Sequence, residues 1–141
     1  MNAPRPGASP LGDDDFARLL AFRDGLRRFL HWSEGWAKDV GLTASQHQLL
    51  LAVRGHGTAP SIGEVAEHLL LRHHSAVELI DRAVRAGLLE RVADEADHRV
   101  VRLRLTGAGD AKLTALTTAH LEELSRLHSR FSALWSHLPA P

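Results

Sequence analysis

The apolar periodicity of this 141-residue chain changes twice, and that change constrains its fold more than any other feature. Up to Gly87 apolar residues recur mostly at steps of three and four, the spacing that lines one face of an α-helix. LLERVA (residues 88–93) and VVRLRLT (residues 100–106) then alternate or run β-branched on either side of the polar DEADHR, and helical spacing resumes after Thr106. Period two on both sides of a short polar loop predicts a two-stranded antiparallel hairpin. The fold class that follows is mainly α with one small β-hairpin.

The helical stretches carry their own start and stop signals. Asp13 to Asp15 complement a helix dipole at the head of Phe16, Leu19, Phe22, Leu26, Phe29, Trp36 and Val40, a long first helix that ends near Gly41. A second helix spans about Thr43 to Arg54, with Thr43 and Gln46 at capping-box spacing and glycines 55 and 57 closing it. Ser61 and Glu64 repeat the box ahead of Ile62, Val65, Ala66 and Leu69 in a short third helix. After a tight connection over residues 70–73, RHHSAVELIDR opens a fourth helix with Ala76, Leu79, Ile80, Ala83 and Val84 on its inner side, stopped by Gly87. TGAGD reads as a strand-to-helix turn capped by Thr106. Beyond it Leu113, Leu116, Leu121, Leu124 and Leu127 make a last long helix, with Phe131, Leu134, Trp135 and Leu138 extending it or forming a separate final helix.

Composition removes several classes of function. No apolar run approaches the roughly 18 to 20 residues that span a bilayer. No basic start and apolar core mark a secretory signal, and there is no cysteine for a disulfide, a thiolate metal site or a redox switch, so a cytoplasmic location is the expectation. Residues 1–12, rich in Pro, Gly and Ala, read as a disordered tail, and residues 13–141 as one domain. Paired carboxylates in an apolar setting, a Ser/His/Asp arrangement, HExxH and a phosphate loop are all missing from convincing context, so no enzyme and no cofactor is expected.

Two short helices joined by a tight turn, the second polar at its exposed start, match a helix-turn-helix, and the hairpin behind them makes the unit winged. From about Leu42 to Thr106 the chain resembles the MarR family of winged-helix transcriptional regulators, through LTASQHQLL, IGEVAEHL, IDRAVRAGLLER and above all DHRVVRLRLT. The resemblance implies a winged helix-turn-helix over about 42–106 flanked by dimerisation helices over about 13–41 and 107–139. It implies a homodimer on palindromic double-stranded DNA, most often as a repressor, with affinity tuned by a small and often aromatic-acid ligand. Asp97 and Arg99 stand where the family has the wing arginine that reaches the minor groove and the aspartate that holds it. The residues expected at DNA are Ser61, Arg72, His73, His74, Ser75, Glu78, Arg82, Asp97, His98 and Arg99.

The sequence departs from the family in charge. Basic and acidic residues balance at 17 each, and from Arg72 to Arg104 seven arginines face six acids, a net of +1. Binding driven by phosphate neutralisation should then be modest per subunit, sensitive to salt and dependent on pairing of two subunits. Arg82 could touch phosphate or join an internal ion pair, and Glu90 and Arg91 should alternate on the hairpin surface. RRFLHWSEGW suggests a ligand pocket with Trp32 or Trp36 as an aromatic wall and Arg28, His31 or His47 as anchor, against plain packing of an interface. Two further readings compete. His120 and Glu123, neighbours on one helical face, could begin a zinc-responsive site, although His74 with Glu78 lacks a third donor and His120 with Glu123 would have to borrow one from another helix. A winged helix used for protein binding is suggested only by the neutral charge.

Overall fold

The computed structural model describes residues 10–136 and orders them as α1 (Asp13–Asp39), α2 (Ala44–Gly55), α3 (Ile62–Leu69), α4 (His73–Arg85), β1 (Leu89–Ala93), β2 (Val101–Leu105) and α5 (Gly107–Trp135). Most of the tail over residues 1–12 and the end of the chain, with Leu138, lie outside the described residues. Among the described residues α5 runs without a break through Phe131 to Trp135, so the separate final helix is not seen there. Between Asp110 and Trp135 no glycine or proline interrupts the helical spacing, so nothing breaks the helix before Phe131. No described helix is long and apolar enough to cross a membrane.

Local chemistry sets each boundary. The Thr43 hydroxyl accepts Gln46 N–H at 3.0 Å while Gln46 Oε1 accepts Thr43 N–H at 3.1 Å. Ser61 and Glu64 do the same at 3.2 and 2.9 Å. Each box satisfies two amides that the first turn of a helix would leave unpaired. Thr106 Oγ1 caps α5 through Gly109 N–H at 3.1 Å and donates to Gly87 O at 2.6 Å, which ties the hairpin exit to the end of α4.

The turn between α3 and α4 is built differently. Leu70 closes α3 at φ 54°, with Leu70 N–H on Glu67 O and Leu71 N–H on Ala66 O, the pairing of a Schellman motif that ordinarily has glycine at this position. The Leu70 side chain is 92% exposed and contributes little packing to offset the steric cost of left-handed backbone. Leu70→Gly is therefore expected to stabilise the protein by about 0.5–1 kcal/mol, measured as a raised urea midpoint at unchanged m-value; a lowered midpoint would show that the side chain packs in solution.

The core lies where α2, α3, α4, the hairpin and the first half of α5 meet. Leu49, Leu50, Val65, Ile80, Leu89, Leu103 and Leu116 are fully enclosed there, each stabilising by about 1.5–3 kcal/mol through removal from water. β1 and β2 pair antiparallel with Leu89 opposite Leu105 and Ala93 opposite Val101. Pro60 and Ser61 add a short third edge, because Leu103 N–H donates to Pro60 O at 2.9 Å and Ser61 bridges to Arg102. The hairpin is thus docked on the start of α3 as well as on α4.

Away from this core α1 and α5 pack on each other, with Phe22 edge-on to Phe131 and against Trp135 at ring-centroid separations of 6.0 and 5.3 Å. Their outer faces leave Phe16, Leu19, Leu20, Leu30, Leu121, Leu124 and Trp135 exposed, so the two long helices carry an apolar surface that the other described residues do not cover.

Candidate nucleic-acid interface

The start of α4 and the loop of the hairpin are both exposed and carry polar and basic side chains. Ala76, Leu79, Ile80 and Ala83 fix α4 to the core, so the opposite side of the helix faces solvent. His73, His74, Glu78 and Arg82 are exposed there and Ser75 is half-buried, with His74, Glu78 and Arg82 one turn apart in a stripe. Arg72 is the N-cap residue and makes no side-chain cap, which leaves the leading amides of α4 open to an anion at the positive end of the helix dipole. Among the described residues Arg82 enters no ion pair. The brace is made by its neighbour Asp81, which pairs with Arg91 of β1.

At the wing, Asp97 accepts Arg99 Nε–H and a second guanidinium N–H, both at 3.0 Å, and also the Arg99 backbone N–H at 3.1 Å. The Arg99 side chain is nonetheless 90% exposed, so its guanidinium is held in place at its base while its remaining donors face outward. The same contacts lower the Asp97 pKa, the Arg99 side-chain hydrogen bond being the largest cause, and raise that of Arg99. His98 lies exposed beside them.

Ser61 is the nominated DNA residue with the most internal duty. Its hydroxyl receives Glu64 N–H and its backbone bridges to Arg102, so it belongs to the frame under the hairpin. The sequence did not point to that frame. Asp94 accepts the N–H groups of Ala96 and Asp97 at 3.1 and 2.9 Å and Arg102 Nε–H at 3.2 Å, organising the wing loop from its first residue. These bonds lower the Asp94 pKa, the Asp97 amide first and Arg102 after it. Glu90 pairs with Arg104 across the hairpin at 2.7 Å, in register, while Arg91 turns back to α4. The only signal for Arg102 was its place in an alternating VRLRL strand, where it is indistinguishable from a solvated surface arginine.

The residues nominated for a ligand do not share one pocket. Arg28 and Trp32 line a cavity of about 700 Å³ between α1 and α5, with Phe29, Glu123, Arg130 and Phe131. His47 lines another of about 650 Å³ where α1, α2 and α5 meet, with Ser33, Glu34, Gln48 and His120. Trp36, one turn beyond Trp32, packs against it with the rings tilted and 6.0 Å apart, and neither Trp36 nor His31 lines either cavity. The same split separates His120 from Glu123: the first lines the His47 cavity, while the second pairs with Arg126 at 3.0 Å and lines the Arg28 cavity. Among the described residues no three potential metal ligands converge.

His47 is 7% exposed and has no hydrogen-bond partner among the described contacts. Beside it His120 is fixed at both nitrogens: Nδ1–H donates to Leu116 O at 2.6 Å and Nε2 lies 2.6 Å from Ser33 Oγ. Burial first, and the nearby His120 ring second, lower the His47 pKa. The sign follows directly. Below about pH 6.5 the unfolded imidazole takes a proton that the folded one resists, so stability is greatest above that value and falls with acid. His47→Gln should shrink the difference between urea midpoints at about pH 7.5 and pH 5.5; an unchanged difference would assign the acid sensitivity to other groups.

An uncapped helix start and an outward arginine on a docked hairpin, both carried by a helix pair that ends in a tight turn, define a winged helix-turn-helix protein. The comparisons with known proteins agree. Residues 40–100 match the MarR family model, so this chain is similar to that family over its winged module. It is 35% identical over 72 residues to the uncharacterized HTH-type transcriptional regulator YsmB of Bacillus subtilis, a match that covers 51% of this chain and 49% of YsmB, so it spans about half the relative's length. Its fold is that of a MarR family protein from Bacillus stearothermophilus, with a TM-score of 0.72 at 23% identity over 84% of this chain and 82% of the other. It is also that of a point mutant of Staphylococcus aureus MepR bound to an oligodeoxyribonucleotide, with a TM-score of 0.65 at 21% identity over 77% and 79% of the two chains.

Proposed function

We propose that this protein is a sequence-specific DNA-binding transcriptional regulator, acting as a homodimer on a roughly palindromic site and most simply as a repressor. The observation that carries this reading is the joint placement of the open α4 start and the Asp97-held, outward Arg99 on one rigid module. An α-helix fits the major groove, and an arginine on the adjoining wing is drawn to the negative potential of the minor groove. The MepR mutant that shares the fold was seen with an oligodeoxyribonucleotide, which supports DNA as the partner.

Pairing is supported by the uncovered apolar faces of α1 and α5 and by the thin charge of each module, since affinity scales with the number of phosphates neutralised. Two modules related by a two-fold axis would set their recognition helices about 34–36 Å apart, one turn of DNA. The α1–α2–α5 cavity with His47 joins the pairing helices to the winged module. A small apolar effector there would change the spacing of the two recognition helices, and by linkage DNA would weaken its binding by the same factor. The aromatic-acid anchor Arg28 and the aromatic wall Trp32 lie on the other cavity, and a zinc-responsive reading gains nothing from the separated His120 and Glu123.

Mobility shift with the DNA upstream of the protein's own gene tests the proposal: a specific, salt-sensitive complex is expected to survive excess unrelated duplex. Sedimentation should give about twice the 15.5 kDa chain mass. A monomer, or no shift at low salt, would sink it.

A further inference from the structure

Arg102 is the one arginine of the hairpin that turns inward between two acids from different elements. Its Nε–H donates to Asp94 Oδ1 at 3.2 Å, at the first residue of the wing loop, and its Nη1 lies 3.6 Å from Glu64 Oε2 in the first turn of α3. The guanidinium is planar and rigid, so its two edges fix the separation of the carboxylates they grasp. Both ends are themselves held. Glu64 Oε2 also accepts Ser61 N–H at 2.9 Å and lies 3.2 Å from His56 Nε2, and His56 Nδ1 is in turn 3.0 Å from His68 Nε2. Asp94 fixes the amides of Ala96 and Asp97, and Asp97 fixes Arg99. A continuous chain of polar contacts therefore runs from the helix-turn-helix, through Arg102, to the tip of the wing.

We propose that Arg102 is a positioning residue: a strut between Glu64 and Asp94 that sets the angle of the wing to the recognition helix and so aims Arg99 at DNA. The proposal rests on the DNA-binding reading above. Arg102 is only 29% exposed, with Nε on Asp94 and Nη1 toward Glu64, so its guanidinium is turned to the two acids rather than outward to phosphate. Its effect on affinity comes from order. A wing free to swing must be fixed when DNA binds, and the conformational freedom then lost lowers affinity. Glu64 is the matching half of the strut, and Glu64→Gln separates its two duties, because a glutamine oxygen still caps α3 while the charge that holds Arg102 is gone.

The test uses the full chain, anisotropy titrations with the labelled upstream duplex across a range of salt, and amide hydrogen exchange of the free protein. Arg102→Gln is expected to weaken binding about tenfold with the slope of log K against log salt unchanged, whereas removal of a true phosphate contact lowers that slope by about one. Exchange of the 94–100 amides should quicken while that of the α2 and α5 cores stays as in wild type, which shows that the variant is folded. Glu64→Gln should act in the same direction, and the double variant should lose less than the two single losses combined, as coupled partners do. A slope lowered by about one would make Arg102 a phosphate contact, and unchanged exchange over 94–100 would show that it fixes nothing; either overturns the proposal. If the wild type binds no DNA, the reading beneath fails, and the exchange experiment still decides whether Arg102 holds the wing.

Discussion

Gly109→Ala is expected to destabilise the protein by about 3 kcal/mol and to lower its melting temperature by roughly 10 °C. Gly109 sits in the first turn of α5, buried against the end of α4, and a Cβ placed there would lie 2.2 Å from the carbonyl oxygen of Leu88. That oxygen is part of the backbone and is already engaged by Thr106 N–H at 3.1 Å, so it cannot move aside without breaking the strand exit. Relief has to come from parting α5 and the residues that begin β1, which opens the core at Leu88, Leu89 and Leu113. The helix propensity gained on replacing glycine by alanine, about 1 kcal/mol, is too small to offset this. Gly107, two residues earlier, has no atom within 4 Å of the same construction, so Gly107→Ala should be neutral or slightly stabilising. Thermal unfolding of the two variants side by side separates steric from helical effects; equal melting temperatures would show that α5 and the residue-88 carbonyl do not pack this closely.

Arg99→Ala is expected to have the largest effect on DNA binding, a loss of about 10- to 100-fold with the salt slope lowered by about one per subunit. The side chain is 90% exposed, so truncation removes no core packing. Its two contacts to Asp97 are pre-organisation, which means that the wild-type arginine gives up little side-chain freedom when it enters a groove. Stability should change by only a few tenths of a kcal/mol, since exposed ion pairs contribute little. Calorimetric melting together with anisotropy titrations checks both halves. A variant that binds like wild type would remove the wing from the interface.

Much of the frame was legible because it rests on short-range chemistry. The Thr43 and Ser61 boxes, the Thr106 cap and the alternating strands each depend on residues within a few positions of one another, and each stands where the spacing put it. The pairing of Asp97 with Arg99, two residues apart, followed from the family resemblance for the same reason. The rest depends on long-range placement that no spacing encodes. Arg102 and Arg104 alternate identically in β2, yet one turns to Asp94 and Glu64 while the other crosses to Glu90. Helical pitch alone could not say that Trp32 and His47 would line different cavities, because that is decided by where α2 and α5 cross α1. Leu70 broke the expected rule outright. Nothing in its identity marks a left-handed residue, and the surrounding hydrogen bonds impose the conformation on it.

On the proposed reading, two winged modules read one DNA site from the major groove with α4 and from the minor groove with Arg99. Hydroxyl-radical footprinting of the DNA upstream of the protein's own gene tests it most directly. Two protected half-sites are expected about 10 base pairs apart, the spacing of one helical turn, flanked by minor-groove protections that disappear with Arg99→Ala. Protection of a single unpaired site, or flanking protections that persist in the variant, would contradict it.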